Sequence, residues 1–196
     1  MPKIGMKPIR RKALIDATIA EIGQAGSLDV TVGQIAKRAG MSSGLAHHYF
    51  GGKEQMLLAA MRQILTNLQL RVRANLRHAE TPLQRVHAII EANLDARNFD
   101  PDVVASWLTF YVQAQNSAEA QRLLHVYARR LHSNLVVNLS HLLEQPQAEH
   151  TARGLGAMID GIYIRHALEH NAPNRGQSVA IVRDYLELQL SKIRDK

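Results

Sequence analysis

The sequence predicts an all-α fold, and three observations carry that reading. Apolar residues recur at helical spacing along most of the chain, no stretch alternates with the period of a strand, and start and stop signals punctuate it into nine helices. With 46% apolar and 21% charged residues among 196, the chain can bury a full core and falls outside the disordered class. It has no internal repeat or low-complexity tract.

The elements follow in order. Residues 1–8, with Pro2, Gly5 and Pro8, read as an extended arm. A first helix runs from about Ile9 to Ala25, with Leu14, Ile15, Ala17, Thr18, Ile19 and Ile22 recurring at helical spacing, and is closed by Gly26. Arg10, Arg11 and Lys12 at its start oppose the helix dipole. They are read either as contacts to phosphate or the minor groove, or as plain solvent exposure.

Thr31 with Gln34 forms a capping box before Val32, Ile35, Ala36 and Ala39, and Gly40 ends this short second helix. Ser42 caps a third through Tyr49, and two short helices joined this tightly cross steeply, which is the plan of a helix-turn-helix. The third helix is too poor in large apolar residues to be a core element, since Ser42, Ser43, Gly44, His47 and His48 are short or polar. An exposed polar second helix fits the major groove of double-stranded DNA.

A long helix from Lys53 to about Arg77 joins this head to a body. Thr81-Pro82 starts the fifth, to about Arg97, and Asp100-Pro101 the sixth, to about Gln115. Ser117 caps the seventh, through Leu142. Pro146 opens the eighth, with Pro173 at its exit, and the ninth spans about Gln177 to Ile193. The ninth carries one apolar stripe at Val179, Val182, Leu186, Leu190 and Ile193, and a second at Ile181, Tyr185 and Leu188. A second stripe, together with Gly154, Gly156 and Gly161 on the eighth helix, predicts a homodimer through the two C-terminal helices.

Charge supports the same division into a DNA-binding domain over 1–52 and an effector-binding and dimerisation domain over 53–196. Residues 1–53 hold eight Lys and Arg against three acidic residues, a surplus of five out of a net +7. The absence of cysteine excludes disulfides and thiolate metal sites and fits a reducing cytoplasm. No apolar run approaches the roughly 20 residues of a membrane span, and the opening MPKIGMKPIRRK lacks the core of a signal peptide. A soluble cytoplasmic protein without a membrane partner is therefore expected.

On the DNA side, Ser43, Leu45, His47 and His48 are expected to face bases or adjacent phosphates, and Thr31, Ser42, Tyr49 and Lys53 the backbone. Gly44 is read as permitting close helix packing, and Ala36, Ala39 and Phe50 as head core. Of ten histidines, only His166 and His170 have spacing suited to sharing a metal, and no HExxH or acidic cluster supports them, so no metal is expected. No phosphate loop, nucleophile elbow or triad appears, so the chain is not read as an enzyme.

The pattern T-V-x-x-I-A-x-x-A-G-M-S-x-G, the following Y-F, and K-E-x-M-L, spanning Thr31 to Leu57, resemble the DNA-binding signature of TetR-family transcriptional repressors. The resemblance implies a dimer of nine-helix subunits with a small DNA-binding head and a larger inducer-binding body. His47 departs from the pattern, because many members carry an aromatic residue there.

Further segments, MPKIGM with Arg10-Arg11, LIDAT (Leu14 to Thr18), RRLHSNLV (Arg129 to Val136) and MIDGIYIRHAL (Met158 to Leu168), are similar to choline-responsive repressors of glycine betaine synthesis genes within that family. This implies choline as effector and no bound cofactor. A quaternary ammonium is held by aromatic faces, at roughly 0.5–2 kcal/mol each. Trp107, Phe110, Tyr111, Tyr127 and Tyr163 are the candidates, with simple core packing as the other reading. Asp160 would complete the cage, unless it pairs with an arginine across a subunit boundary, and Glu91 and Asp95 are alternatives. A multidrug or other cation sensor of the same family remains open, as does a small-molecule binding protein that does not recognise DNA.

Overall fold

Capping side chains and glycines set most of the helix boundaries. The structure, a computed structural model, describes residues 5–26, 29–168 and 174–194, with the side chains of 193 and 194 excepted. Among these residues there are nine α-helices, one 3-10 turn and no strand. The helices are α1 Met6–Ala25, α2 Val32–Arg38, α3 Ser43–Phe50, α4 Lys53–Leu76, α5 Pro82–Asn93, α6 Pro101–Gln113, α7 Ala118–Leu139, α8 Gln145–Leu168 and α9 Arg175–Arg194. The all-α reading is borne out. Pro2, His170, Pro173 and the Ile193 side chain lie outside the described residues.

Several boundaries differ from expectation for local reasons. Met6, Lys7 and Pro8 belong to α1 and not to an extended arm, because proline is tolerated in a first turn whose N–H groups have no intrahelical partner. Helix α5 stops at Asn93 and not near Arg97. The Asp95 side chain accepts from Arg97 N at 3.1 Å and nucleates a separate 3-10 turn over Ala96–Asn98. Helix α7 ends at Leu139, whose carbonyl accepts from both Leu142 N and Leu143 N at 2.8 Å. Helix α9 starts two residues early, because Asn174 and Gln177 cap each other reciprocally at 3.0 Å.

Packing divides the chain into two units. One comprises Met1–Leu65 with Pro101–Leu123, the other Thr66–Asp100 with Leu124–Lys196. This grouping differs from the sequence-based boundary at Gly52/Lys53, because α6 lies along α1 and joins the head's unit. Their approach depends on Gly23, where a Cβ would sit 2.0 Å from Asp102 Oδ1 and 2.4 Å from Asp102 Cα. Leu14, Ala17, Thr18 and Ile22 of α1 are buried in this unit, as are Val104, Trp107 and Phe110 of α6.

In the second unit, α9 packs on α5 and α8. Val182, Leu186 and Leu190 are buried, whereas Val179 of the same stripe is half-buried. The other stripe is open only in part: Ile181 is 44% and Leu188 57% exposed, while Tyr185 is half-buried; on α8, Ile164 is 40% and Leu168 73% exposed. Gly154 has an intrachain reason, since a Cβ there would lie 2.1 Å from the Tyr185 hydroxyl oxygen. Gly161 faces open space.

Candidate nucleic-acid interface

The head is fixed by short-range hydrogen bonds. Thr31 Oγ1 accepts from Gln34 N at 3.2 Å while Gln34 Oε1 accepts from Thr31 N at 2.7 Å, the complete capping box. At the other end of α2, Gly40 sits at φ +68°. Gly40 N donates to Lys37 O at 3.1 Å and Met41 N to Ala36 O at 2.8 Å, the two bonds of a Schellman cap. Ser42 Oγ then accepts from Leu45 N at 3.3 Å and opens α3 only a few residues after α2 has closed.

Helix α3 is anchored by Ala46 and Phe50, its buried side chains. Ser42, Ser43, Gly44, His47 and His48 are exposed, and Leu45 and Tyr49 are half-buried. Thr31, at the N-cap of α2, and Lys53, the first residue of α4, are also exposed. Of the residues expected on DNA, Thr31, Ser42, Ser43, His47, His48 and Lys53 are therefore at the surface, whereas Leu45 and Tyr49 are partly covered. Two expectations fail. Ala39 is only half-buried, because it is the C-cap where the chain leaves α2. Gly44 does not permit helix packing, since nothing lies within 4 Å of a Cβ built there.

Electrostatics in the head is partly internal. Lys12 pairs with Asp16, and Arg38 bonds both Glu21 and Gln24, tying α2 to α1. His47 Nδ1 lies 2.9 Å from Gly51 O. A carbonyl only accepts, so Nδ1 is the donor in this contact. Arg10 and Arg11 are both half-buried. Arg11 Nη1 donates to Tyr49 O at 2.7 Å, and its guanidinium lies 4.3 Å from the Phe50 ring centroid.

The candidate effector residues fall into both units. Within the first, the Trp107 ring lies 5.8 Å from Tyr111, tilted by 31°, and meets Phe110 edge-on at 6.5 Å; Trp107 and Phe110 are buried and Tyr111 is half-buried. Within the second, Tyr127 donates to Asp160 Oδ1 at 3.2 Å, so two of the predicted residues meet. Tyr163 is buried, its hydroxyl donates to Asn93 O, and burial pushes its phenol pKa above the ordinary value.

The two alternative carboxylates have other partners. Glu91 pairs with Arg183 of α9. Asp95 caps the 3-10 turn and bonds Arg97 Nε at 2.7 Å, and that hydrogen bond holds its carboxyl below the usual range. Phe99 was missed by sequence reasoning, and His166 was weighed there only as a metal ligand. Phe99 lies 5.2 Å from the Tyr163 ring and 5.0 Å, edge-on, from His166. Phe99 sits just past the 3-10 turn, where no helical period flags it; His166, seven residues after Ile159 on α8, carried a periodic signal. Among the described residues, no group of three or more His, Cys, Asp or Glu is placed to hold a metal, and no helix is long and apolar enough to cross a membrane.

Comparison with known proteins decides what this head belongs to. Residues 14–60 match the bacterial regulatory proteins of the tetR family, and residues 82–191 match the C-terminal domain of BetI-type transcriptional repressors. The chain belongs to the TetR family, in its BetI-type branch. It is 55% identical over 190 residues to the HTH-type transcriptional regulator BetI of Brucella anthropi, covering 97% of this chain and 98% of the relative. The BetI regulator of Agrobacterium fabrum is 46% identical over 195 residues, covering 100% of this chain and 95% of the relative.

Solved TetR-like structures share the fold. A transcriptional regulator from Pseudomonas aeruginosa PAO1 superposes with a TM-score of 0.81 at 24% identity, over 94% of this chain and 91% of that one. One from Saccharomonospora viridis, solved in complex with choline, gives 0.80 at 21%, over 90% and 95%. As a BetI-type member of the TetR family, the chain is a DNA-binding transcriptional regulator and not an enzyme, and regulators of this family bind operator DNA, typically as dimers.

Proposed function

We propose that this regulator represses genes for glycine betaine synthesis from choline, that it binds its operator as a cytoplasmic homodimer, and that choline releases it. The observation that carries this reading is the 46–55% identity, over nearly the whole chain, to relatives named BetI. Within the second unit, the Tyr127–Asp160 pair has the chemistry a quaternary ammonium needs, an aromatic face and a carboxylate. The exposed apolar residues of the two C-terminal helices, Ile164 and Leu168 on α8 and Ile181 and Leu188 on α9, together with the uncrowded Gly161 of α8, support pairing through α8 and α9.

In this scheme paired α3 helices enter major grooves about one turn, roughly 34 Å, apart. Helix α4 runs unbroken from Lys53, next to the head, to Leu76 in the second unit, and serves as the lever by which the effector resets that separation. Choline must favour the non-binding geometry by several kcal/mol to empty the operator. A gel shift on the chain's own upstream region, titrated with choline, tests the scheme. Choline should dissociate a sequence-specific complex. Dissociation by bulky cationic dyes but not choline would make the chain a multidrug-cation sensor, and equal binding to all duplexes would remove the repressor reading.

A further inference from the structure

We propose that Arg11 is the positioning residue of the DNA-reading helix α3 and not a contact to DNA. The last carbonyls of any helix lack intrahelical partners, and α3 is only eight residues long. At its end, Arg11 reaches from α1, 38 residues earlier, and donates to Tyr49 O at 2.7 Å. The same guanidinium covers the Phe50 ring at 4.3 Å. One cation therefore grips two successive residues by different means, a backbone oxygen and a buried ring. Its charge also complements the negative end of the helix dipole.

Two attachment points do what one cannot. Helix α3 has only two fully buried side chains, Ala46 and Phe50, with Leu45 and Tyr49 half-buried, so few other contacts specify its rotation about its own axis. Fixing both the Tyr49 carbonyl and the Phe50 ring sets that rotation, and with it the directions in which Leu45, His47 and His48 point. A planar, multidentate guanidinium suits this role, whereas a lysine ammonium offers a point charge without a stacking plane. A cation at the start of α1 that served phosphate would instead contribute equally on every DNA sequence.

This inference rests on the DNA-binding reading, so the first measurement is wild-type binding to the operator and to an unrelated duplex of equal length. If the wild type does not prefer the operator, the parent reading fails before any variant matters. Arg11→Lys is then expected to lose at least about tenfold in operator affinity while keeping wild-type affinity for the unrelated duplex. Its dependence of log K on log salt should also be unchanged. Arg11→Ala should show the same selective loss. Wild-type operator affinity in Arg11→Lys would overturn the proposal. So would equal loss on both duplexes in Arg11→Ala with a salt slope flatter by about one unit. Should thermal melting show that Arg11→Ala has lost the head's fold, Arg11→Lys, which retains the charge and the aliphatic stem, decides alone.

Discussion

Helix α3 in the head and the α8–α9 pair in the second unit each leave a face uncovered, and the two faces differ in kind. On α3 the open residues are Ser43, Gly44, His47 and His48, small or polar. They lie in the part of the chain that holds five of its seven net positive charges. On α8 and α9 they are Ile164, Leu168, Ile181 and Leu188. A polar face with a positive field is stable in water and is completed by a polyanion. Exposed large apolar residues on two neighbouring helices are instead completed by protein. Exposure alone does not identify a partner; the chemistry of what is exposed does.

The comparison breaks most visibly on the apolar face. Replacing Ile181 and Leu188 together with glutamate should turn a dimer into a folded monomer in sedimentation experiments. Operator affinity should fall by about two orders of magnitude or more, because the second head no longer binds at high effective concentration. A double variant that sediments as a dimer would show that the stripe faces only water.

A smaller effect sharpens the polar face. Gly44→Ala adds a methyl group where the chain itself has open space, so stability should hold or rise by up to about 1 kcal/mol. Operator affinity should nevertheless drop severalfold if a base or phosphate approaches that backbone, and unchanged affinity would place the duplex elsewhere. The smallest effect is expected at Thr31→Ala. Loss of the capping box should cost about 1 kcal/mol in thermal or urea unfolding, and a variant as stable as the wild type would mean that the box adds nothing.

Legibility in the sequence followed the range of the interactions involved. Thr31 with Gln34, Gly40 and Ser42 were readable because caps act across three to five residues and depend on residue type. The end of α5 was misread because Asp95, three residues before Asn98, competes for the backbone and starts a new turn. The role first given to Gly44 reversed because a glycine at a crowded site and one at an open site look the same in a sequence. Gly154 was explained only by Tyr185, thirty-one positions away.

By itself the sequence determined the number and kind of helices, the helix-turn-helix and the concentration of positive charge in the N-terminal quarter that contains it, since these follow from periodicity, caps and composition. Only the tertiary structure decided that Arg11 turns inward to Tyr49 and Phe50, that α6 lies along α1 against Gly23, and that Glu91 and Asp95 are held by arginines. Each of those facts is a choice among partners that are chemically alike, and packing makes the choice by distance.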